Sequence, residues 1–300
     1  MFLITPIAKI LQDLTVLTWD FWLTMYNLIT PKRRIGHVVP EGHPGFGGQW
    51  PEYISPKEGD SRCSCPAINA MANHGILPRD GRNISFTELG KLIRATYNFS
   101  PSFCFFVPNF AANMLKKSYR KDTFDLSELD LHNGIEHDGS LLREDSALVP
   151  DQGEPHIPFI KELLASATGK DKDGNPLLTP ADLSRYSAKR RVDARATNPH
   201  FTLSTFHKIF GSSNSSTLLT IFGGRVKDLE PILIEERLPE GWESRIRGRM
   251  GLTMTTFNKT VLRVELGINE KKYIAENKQN TLAGPNGDST TALTAAETAV

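Results

Sequence analysis

Cysteine is scarce in this chain of 300 residues: Cys63, Cys65 and Cys104 are too few and too irregularly spaced for a disulfide framework or a zinc site. Net charge is nearly absent as well. With 35 basic against 34 acidic side chains, the balance argues against nucleic acid as a partner. The one dense basic run, Lys189-Arg190-Arg191 with Arg195, has no aromatic platform or nucleic-acid motif beside it and reads first as a solvated helix face. Alternating, strand-like segments are scarce apart from Leu252 to Val264, and no internal repeat is visible. Glutamate is missing from the whole stretch between Glu162 and Glu230.

What is present reads as a mainly α-helical single domain with two appendages. Ser85-Phe86-Thr87-Glu88 has the pattern of a capping box, with Ile84 and Leu89 placed for a hydrophobic staple. Thr179-Pro180-Ala181-Asp182 is a cap followed by proline at the first helical position. Apolar periodicity continues through Phe106 to Leu115, Ile157 to Ala167, Leu203 to Phe210 and Leu229 to Ile234. We place the domain at residues 51–268, preceded by a Gly/Pro-rich linker at 31–50 and followed by a polar tail at 269–300 with the composition of disorder.

Residues 1–30 are apolar but interrupted by Lys9, Asp13 and Asp20. A cleaved signal peptide fits poorly, because there is no basic start and no small-x-small cleavage site. A spanning helix would bury Asp20 in hydrocarbon at roughly 2.5 to 3.5 kcal/mol. An interfacial or tilted anchor fits best, with Trp19, Phe21, Trp22 and Tyr26 at headgroup depth and Lys32-Arg33-Arg34 following. If the segment inserts, that triplet keeps the domain cytosolic. The sequons at Asn83, Asn98, Asn214 and Asn258 matter only in a lumenal or secreted protein and do not decide the compartment; the expected location is membrane-associated or secretory.

Two runs carry chemistry. In Arg62-Cys63-Ser64-Cys65-Pro66-Ala67-Ile68, proline suits the first position of a helix that Gly75 ends, which sets Cys65 at the helix N-terminus. Unpaired N–H groups and the dipole there favour a thiolate, the form that ligates iron or attacks an electrophile. The plainer reading is an inert buried thiol. The second run, Glu136-His137-Asp138-Gly139-Ser140, packs oxygen donors suited to a hard divalent cation around an imidazole suited to proton transfer. Alone, His137 would read as a solvated loop histidine.

Together, Ser64-Cys65-Pro66 and Glu136-His137-Asp138-Gly139-Ser140 resemble the Pro-Cys-Pro and Glu-His-Asp-x-Ser motifs of the fungal haem-thiolate peroxidases, the chloroperoxidases and unspecific peroxygenases. Glu235-Glu236-Arg237-Leu238-Pro239-Glu240-Gly241-Trp242 is similar to that family's closing segment. The resemblance implies haem b with Cys65 as axial thiolate, a ligand that favours O–O cleavage of peroxide. It also implies a magnesium or manganese ion beside a haem propionate, held by Glu136 and Ser140 with His137 adjoining. His137 and Asp138 then handle protons on the distal side, Asp138 selecting the imidazole tautomer, and the basic cluster at Lys189 to Arg195 can face a propionate.

The family's acid-base glutamate has no counterpart here. The matching helix, Ser213 to Gly223, contains no carboxylate, and Asn214 stands where that residue is expected. An amide cannot act as a general base, so His137 or Asp138 must do the work, or haem is held for another reaction. Among the 16 phenylalanines, Phe103 and Phe106 are the candidates to line the haem pocket, because they lie between the two motifs. The expected function is peroxide-dependent oxidation or oxygenation of a small hydrophobic substrate, with a role in fungal secondary metabolism implied by the resemblance. The alternative is a haem-binding carrier or a non-redox catalyst such as a dehydratase.

Overall fold

The computed structural model describes residues 4–282. Ten α-helices occur among them: α1 Ile4–Ile29, α2 Pro66–Asn73, α3 Phe86–Tyr97, α4 Pro101–Met114, α5 Ile157–Ala165, α6 Pro180–Thr197, α7 Thr205–Thr220, α8 Val226–Ile234, α9 Met254–Gly267 and α10 Glu270–Leu282. Two small antiparallel pairs, β1 Ile84–Ser85 with β2 Thr123–Phe124 and β3 Gly169–Lys170 with β4 Pro176–Leu177, pin loops and form no layer. Helix α9 packs on α6 and α7, α3 packs on α4, and α2 meets α8.

Local chemistry explains most helix starts. Ser100, Ser204 and Thr253 each accept the N–H three residues on, and Thr179 and Asp182 complete a reciprocal capping box. The box expected at Ser85 does not form. Its hydroxyl contacts the Thr87 hydroxyl, and α3 begins without a side-chain cap.

The strand-like reading of Leu252 to Val264 is wrong, because that segment is α9. Met254, Phe257, Val261 and Val264 are buried at spacings of three and four, and the helix is capped by Thr253 and by a carboxylate from far upstream. The tail reading is corrected at its start: Glu270 begins helix α10, which packs on α6 with Arg195 2.7 Å from Glu270. Residues 283–300 lie outside the described residues.

The expectation that residues 1–30 stand apart from the domain as an appendage is also corrected. No described helix is long and apolar enough to cross a membrane. Instead α1 is docked on the domain through Asp20, which is fully buried and accepts from the Ser102 hydroxyl and the backbone N–H groups of Met254 and Thr255. A carboxylate at the N-terminal end of α9 satisfies orphan donors and complements the helix dipole. The segment is therefore part of the folded unit, and removing it would uncap a helix that walls the central cavity.

Two members of the basic cluster on α6, Arg190 and Arg191, are buried, whereas Arg195 is exposed. Arg190 donates to the Ser140 carbonyl and lies 3.5 Å from the Phe159 ring centroid, while Arg191 pairs with Glu265 at 2.7 Å.

Candidate active site

A cavity of about 440 Å³ lies between α2, α4, α7 and α9, and Cys65, Phe103, Phe106, Glu136, His137, Ser140 and Asn214 all contribute to its wall. Asp138 does not line it. Phe99, Phe206, Phe210 and Phe257 also face the cavity, whereas Phe105 packs on Tyr119. Phe103 is wedged between Phe99 and Phe257, and Phe106 is partly open to solvent.

Cys65 is the N-cap of α2 with Pro66 at the next position, and Gly75 follows the helix at φ 66°, a conformation that favours glycine. The loop ahead of it is tied down by its own side chains. Asn69 accepts the Cys63 N–H at 3.0 Å and returns a hydrogen bond to the Cys63 carbonyl at 2.6 Å, and the Asp130 carboxylate accepts the Ser64 N–H at 2.8 Å. Burial pushes the Cys65 thiol up, and the N–H groups of Ile68 and Ala67 offset this only in part. The helix N-terminus alone therefore does not make a thiolate here; a bound metal ion would. All three cysteines are free thiols, so no Cys63–Cys104 bridge forms.

The closing segment clasps the same helix. Glu236 receives hydrogen bonds from Asn69 at 2.9 Å and from Arg143 at 2.8 Å, and Asn73 donates to the Glu236 carbonyl. Burial pushes the Glu236 carboxyl up to about 7 against the pull of Arg143. His74, at the end of α2, donates from Nδ1 to the Pro51 carbonyl at 2.6 Å and accepts the Leu238 N–H on Nε2 at 3.0 Å. Both contacts require the neutral ring, and burial lowers its pKa below the usual 6.5.

A histidine with a depressed folded pKa stabilises the fold fully above pH 6.5, and that contribution is lost as pH falls through the folded value. Denaturant unfolding from pH 7 to pH 5 should show stability falling by up to about 1.4 kcal/mol per pH unit for this one proton. His74→Asn should flatten that acid limb. An unchanged slope would show that His74 is not the titrating group.

His137 is held by the main chain. Its Nδ1 lies 2.9 Å from the Asp138 carbonyl, which can only accept, so Nδ1 carries the proton and Nε2 is left as an acceptor. This corrects the role expected for Asp138. Its carboxylate turns away, accepting from Thr202 N at 2.7 Å, and does not select the tautomer. Burial lowers the pKa of His137, and His207 and Arg191 act in the same direction, so the ring stays neutral and able to take a proton. Gly211 makes the close approach of α7 possible: a Cβ there would lie 3.2 Å from His137 Cε1.

The structure adds two residues that the sequence reading missed. His207 shares a face of α7 with Gly211 and Asn214, its ring centroid 6.3 Å from that of His137, with Nε2 buried and unpartnered. His132 lies 2.7 Å from Glu136, and the two form with Asp138 a donor set within 4.8 Å. Glu136 Oε1 and Asp138 Oδ1 are buried without partners, and burial raises both carboxyls. These orphaned oxygens fit a divalent cation, although the donors gathered with Glu136 are His132 and Asp138, not the His137 ring. The only signal for His132 was its position four residues before Glu136.

Asn214 is open on the cavity wall, and among the described residues that line the cavity Glu136 is the one carboxylate.

Residues 51–247 match the family described as Peroxidase, family 2. The chain is 50% identical over 48 residues to the chloroperoxidase of Leptoxyphium fumago, covering 14% of this chain and 13% of that protein. It is 26% identical over 167 residues to the dothistromin biosynthesis peroxidase of Dothistroma septosporum, covering 50% of this chain and 38% of the relative. The matches thus span well under half of each relative's length. With the family match running over most of the folded domain, from the loop before α2 to the segment that clasps it, the chain belongs to peroxidase family 2, the chloroperoxidase family.

Proposed function

We propose that the cavity binds haem b with Cys65 as the axial ligand, and that the protein uses hydrogen peroxide to oxidise or oxygenate a small hydrophobic organic molecule. The observation that carries this reading is a helix-terminal thiol and an imidazole with a fixed acceptor nitrogen on the wall of one apolar cavity. Bound haem would supply the peroxide chemistry, which an anionic sulfur ligand favours. The protein supplies the rest. Nε2 of His137 accepts a proton from the incoming peroxide and can return it to the leaving oxygen, with His207 beside it as a second imidazole. Asn214 can orient peroxide by hydrogen bonding and cannot take its proton.

A magnesium or manganese ion held by Glu136, with Ser140 on the cavity wall or His132 and Asp138 behind, would fix this loop and neutralise an adjacent propionate. Phe103, Phe106 and their neighbours leave little to orient a charged substrate, which favours an apolar one. The resemblance to a dothistromin biosynthesis peroxidase supports a role in secondary metabolism. Residues 51–268 form the catalytic unit in this reading.

The test is peroxide-dependent turnover of a hydrophobic probe by haem-loaded protein. His137→Ala should lower the rate about 10²-fold, the smaller end of what a positioned acid-base group contributes, and Asn214→Glu should raise it by a similar factor. A fast rate that neither change alters would displace His137 from its role. Tight haem binding with no turnover in any variant would favour a carrier or a non-redox catalyst.

A further inference from the structure

Helix α1 is inside out. Its domain-facing stripe, Val16, Asp20, Thr24 and Asn27, is largely polar, and those groups are consumed by the body of the protein. Asp20 caps α9, Thr24 donates to the Thr253 hydroxyl at 2.7 Å, and Asn27 bridges Gly251 O and Met250 N at 2.9 and 2.8 Å. The outward face carries Leu14, Leu17, Phe21, Trp22, Tyr26 and Ile29, with Trp22 65% and Ile29 81% exposed. A helix lying on a water-facing domain shows the opposite arrangement, and a continuous exposed apolar patch marks an interaction surface.

A second, independent observation identifies the partner's chemistry. Where α1 ends, the run Lys32-Arg33-Arg34 is tied through Pro31 and Arg33 to the segment that carries Arg247 and Arg249: Arg33 N donates to Arg247 O at 2.8 Å, Arg33 Nη2 to Arg249 O at 3.3 Å, and Arg249 Nε to Pro31 O at 3.2 Å. These guanidinium contacts are made to carbonyls. Among the described residues none of the five cations has a carboxylate within 4.0 Å. The like charges are held together by the backbone and left without anions.

We propose that the outward face of α1 and this five-cation cluster seat the protein on the surface of an anionic phospholipid bilayer, lying on the membrane without crossing it. The aromatic residues sit at headgroup depth, the aliphatic ones reach the acyl boundary, and the cations meet lipid phosphate and carboxylate groups. A lipid surface supplies the anions that a second copy of the same basic patch would not. Helix α1 rests on α4 and α9, whose Phe103, Phe106, Met254 and Phe257 face the cavity. Docking would therefore hold the site beside the phase in which apolar molecules concentrate.

The experiment is flotation of the full chain with phosphatidylcholine vesicles and with vesicles that also contain phosphatidylserine, beside light scattering without lipid. Binding to the anionic vesicles should be at least tenfold tighter and should weaken with salt. Phe21→Ser with Trp22→Ser should weaken binding to anionic vesicles about tenfold or more, and Lys32→Glu with Arg34→Glu should remove the preference for phosphatidylserine. All four side chains are at the surface, so circular dichroism and thermal unfolding should match the parent protein. Absence of binding, equal binding to both vesicles, or a dimer that Phe21→Ser with Trp22→Ser dissolves would overturn the proposal.

Discussion

Cys65→Ser should abolish the strongly red-shifted ferrous carbon monoxide spectrum that marks thiolate ligation, and peroxide turnover with it, while the protein remains folded. The reason lies in which group can become an anion. Burial already pushes the Cys65 thiol above its ordinary pKa despite two helix N–H groups, and a metal ion must complete the deprotonation. A serine hydroxyl starts several units higher, and the same surroundings will not ionise it. The loop geometry should survive, because Asn69, Asp130 and Tyr97, which donates to the Ala67 carbonyl at 2.7 Å, hold backbone and not the sulfur. An unchanged spectrum in the variant would remove Cys65 as the ligand; loss of helical circular dichroism would show that the site holds the fold. Haem loading of the parent protein should release a proton near neutral pH, a second readout of the same step.

Glu236→Ala should destabilise the protein by about 3–5 kcal/mol, because it leaves the Arg143 guanidinium buried without its partner. Arg143 is 1% exposed, and its remaining contacts are the Gln152 and Leu142 carbonyls, which neutralise nothing. The same change frees Asn69 and so loosens the loop that carries Cys65. Urea unfolding of the single variant should show the loss. The double replacement Arg143→Met with Glu236→Leu should recover most of it, since a well-packed apolar pair can equal or exceed a buried ion pair. If the double variant is as unstable as the single one, the contribution lies in Asn69 and in packing, not in charge pairing.

The two chemical motifs were legible because they are local. A proline after Cys65 and a glycine at position 75 are enough to place a helix N-terminus, and four functional side chains within Glu136 to Ser140 cannot be far apart. The caps at Thr179 and the apolar periods of α5 and α8 were legible for the same reason. Reasoning failed where a distant residue decided the outcome. Leu252 to Val264 alternates like a strand, yet its fate is set by Thr253 and by Asp20, more than 230 positions upstream in the case of Met254 and Thr255. Asp138 lies next to His137 in sequence, but the loop turns its carboxylate to Thr202 and offers the imidazole a carbonyl instead. His207 lies on another element, and nothing local announced that its ring would stand beside that of His137.

Sequence by itself determined the helical character of the domain, the thiol at a helix start, the donor-rich loop and the absence of a carboxylate from α7, because each depends on residue type and on spacings of a few positions. Only the tertiary structure decided what those groups face. It set the net rise in the Cys65 pKa through burial, the tautomer of His137 through a backbone carbonyl, and the grouping of His132 with Glu136 and Asp138 through the approach of His132 to Glu136. It also decided that α1 turns its polar stripe inward and its apolar face outward. Periodicity reports which residues share a face; only the packed protein decides whether that face meets protein or another phase, because the choice rests on partners such as Ser102, Gly251 and Thr253 that arrive from distant parts of the chain.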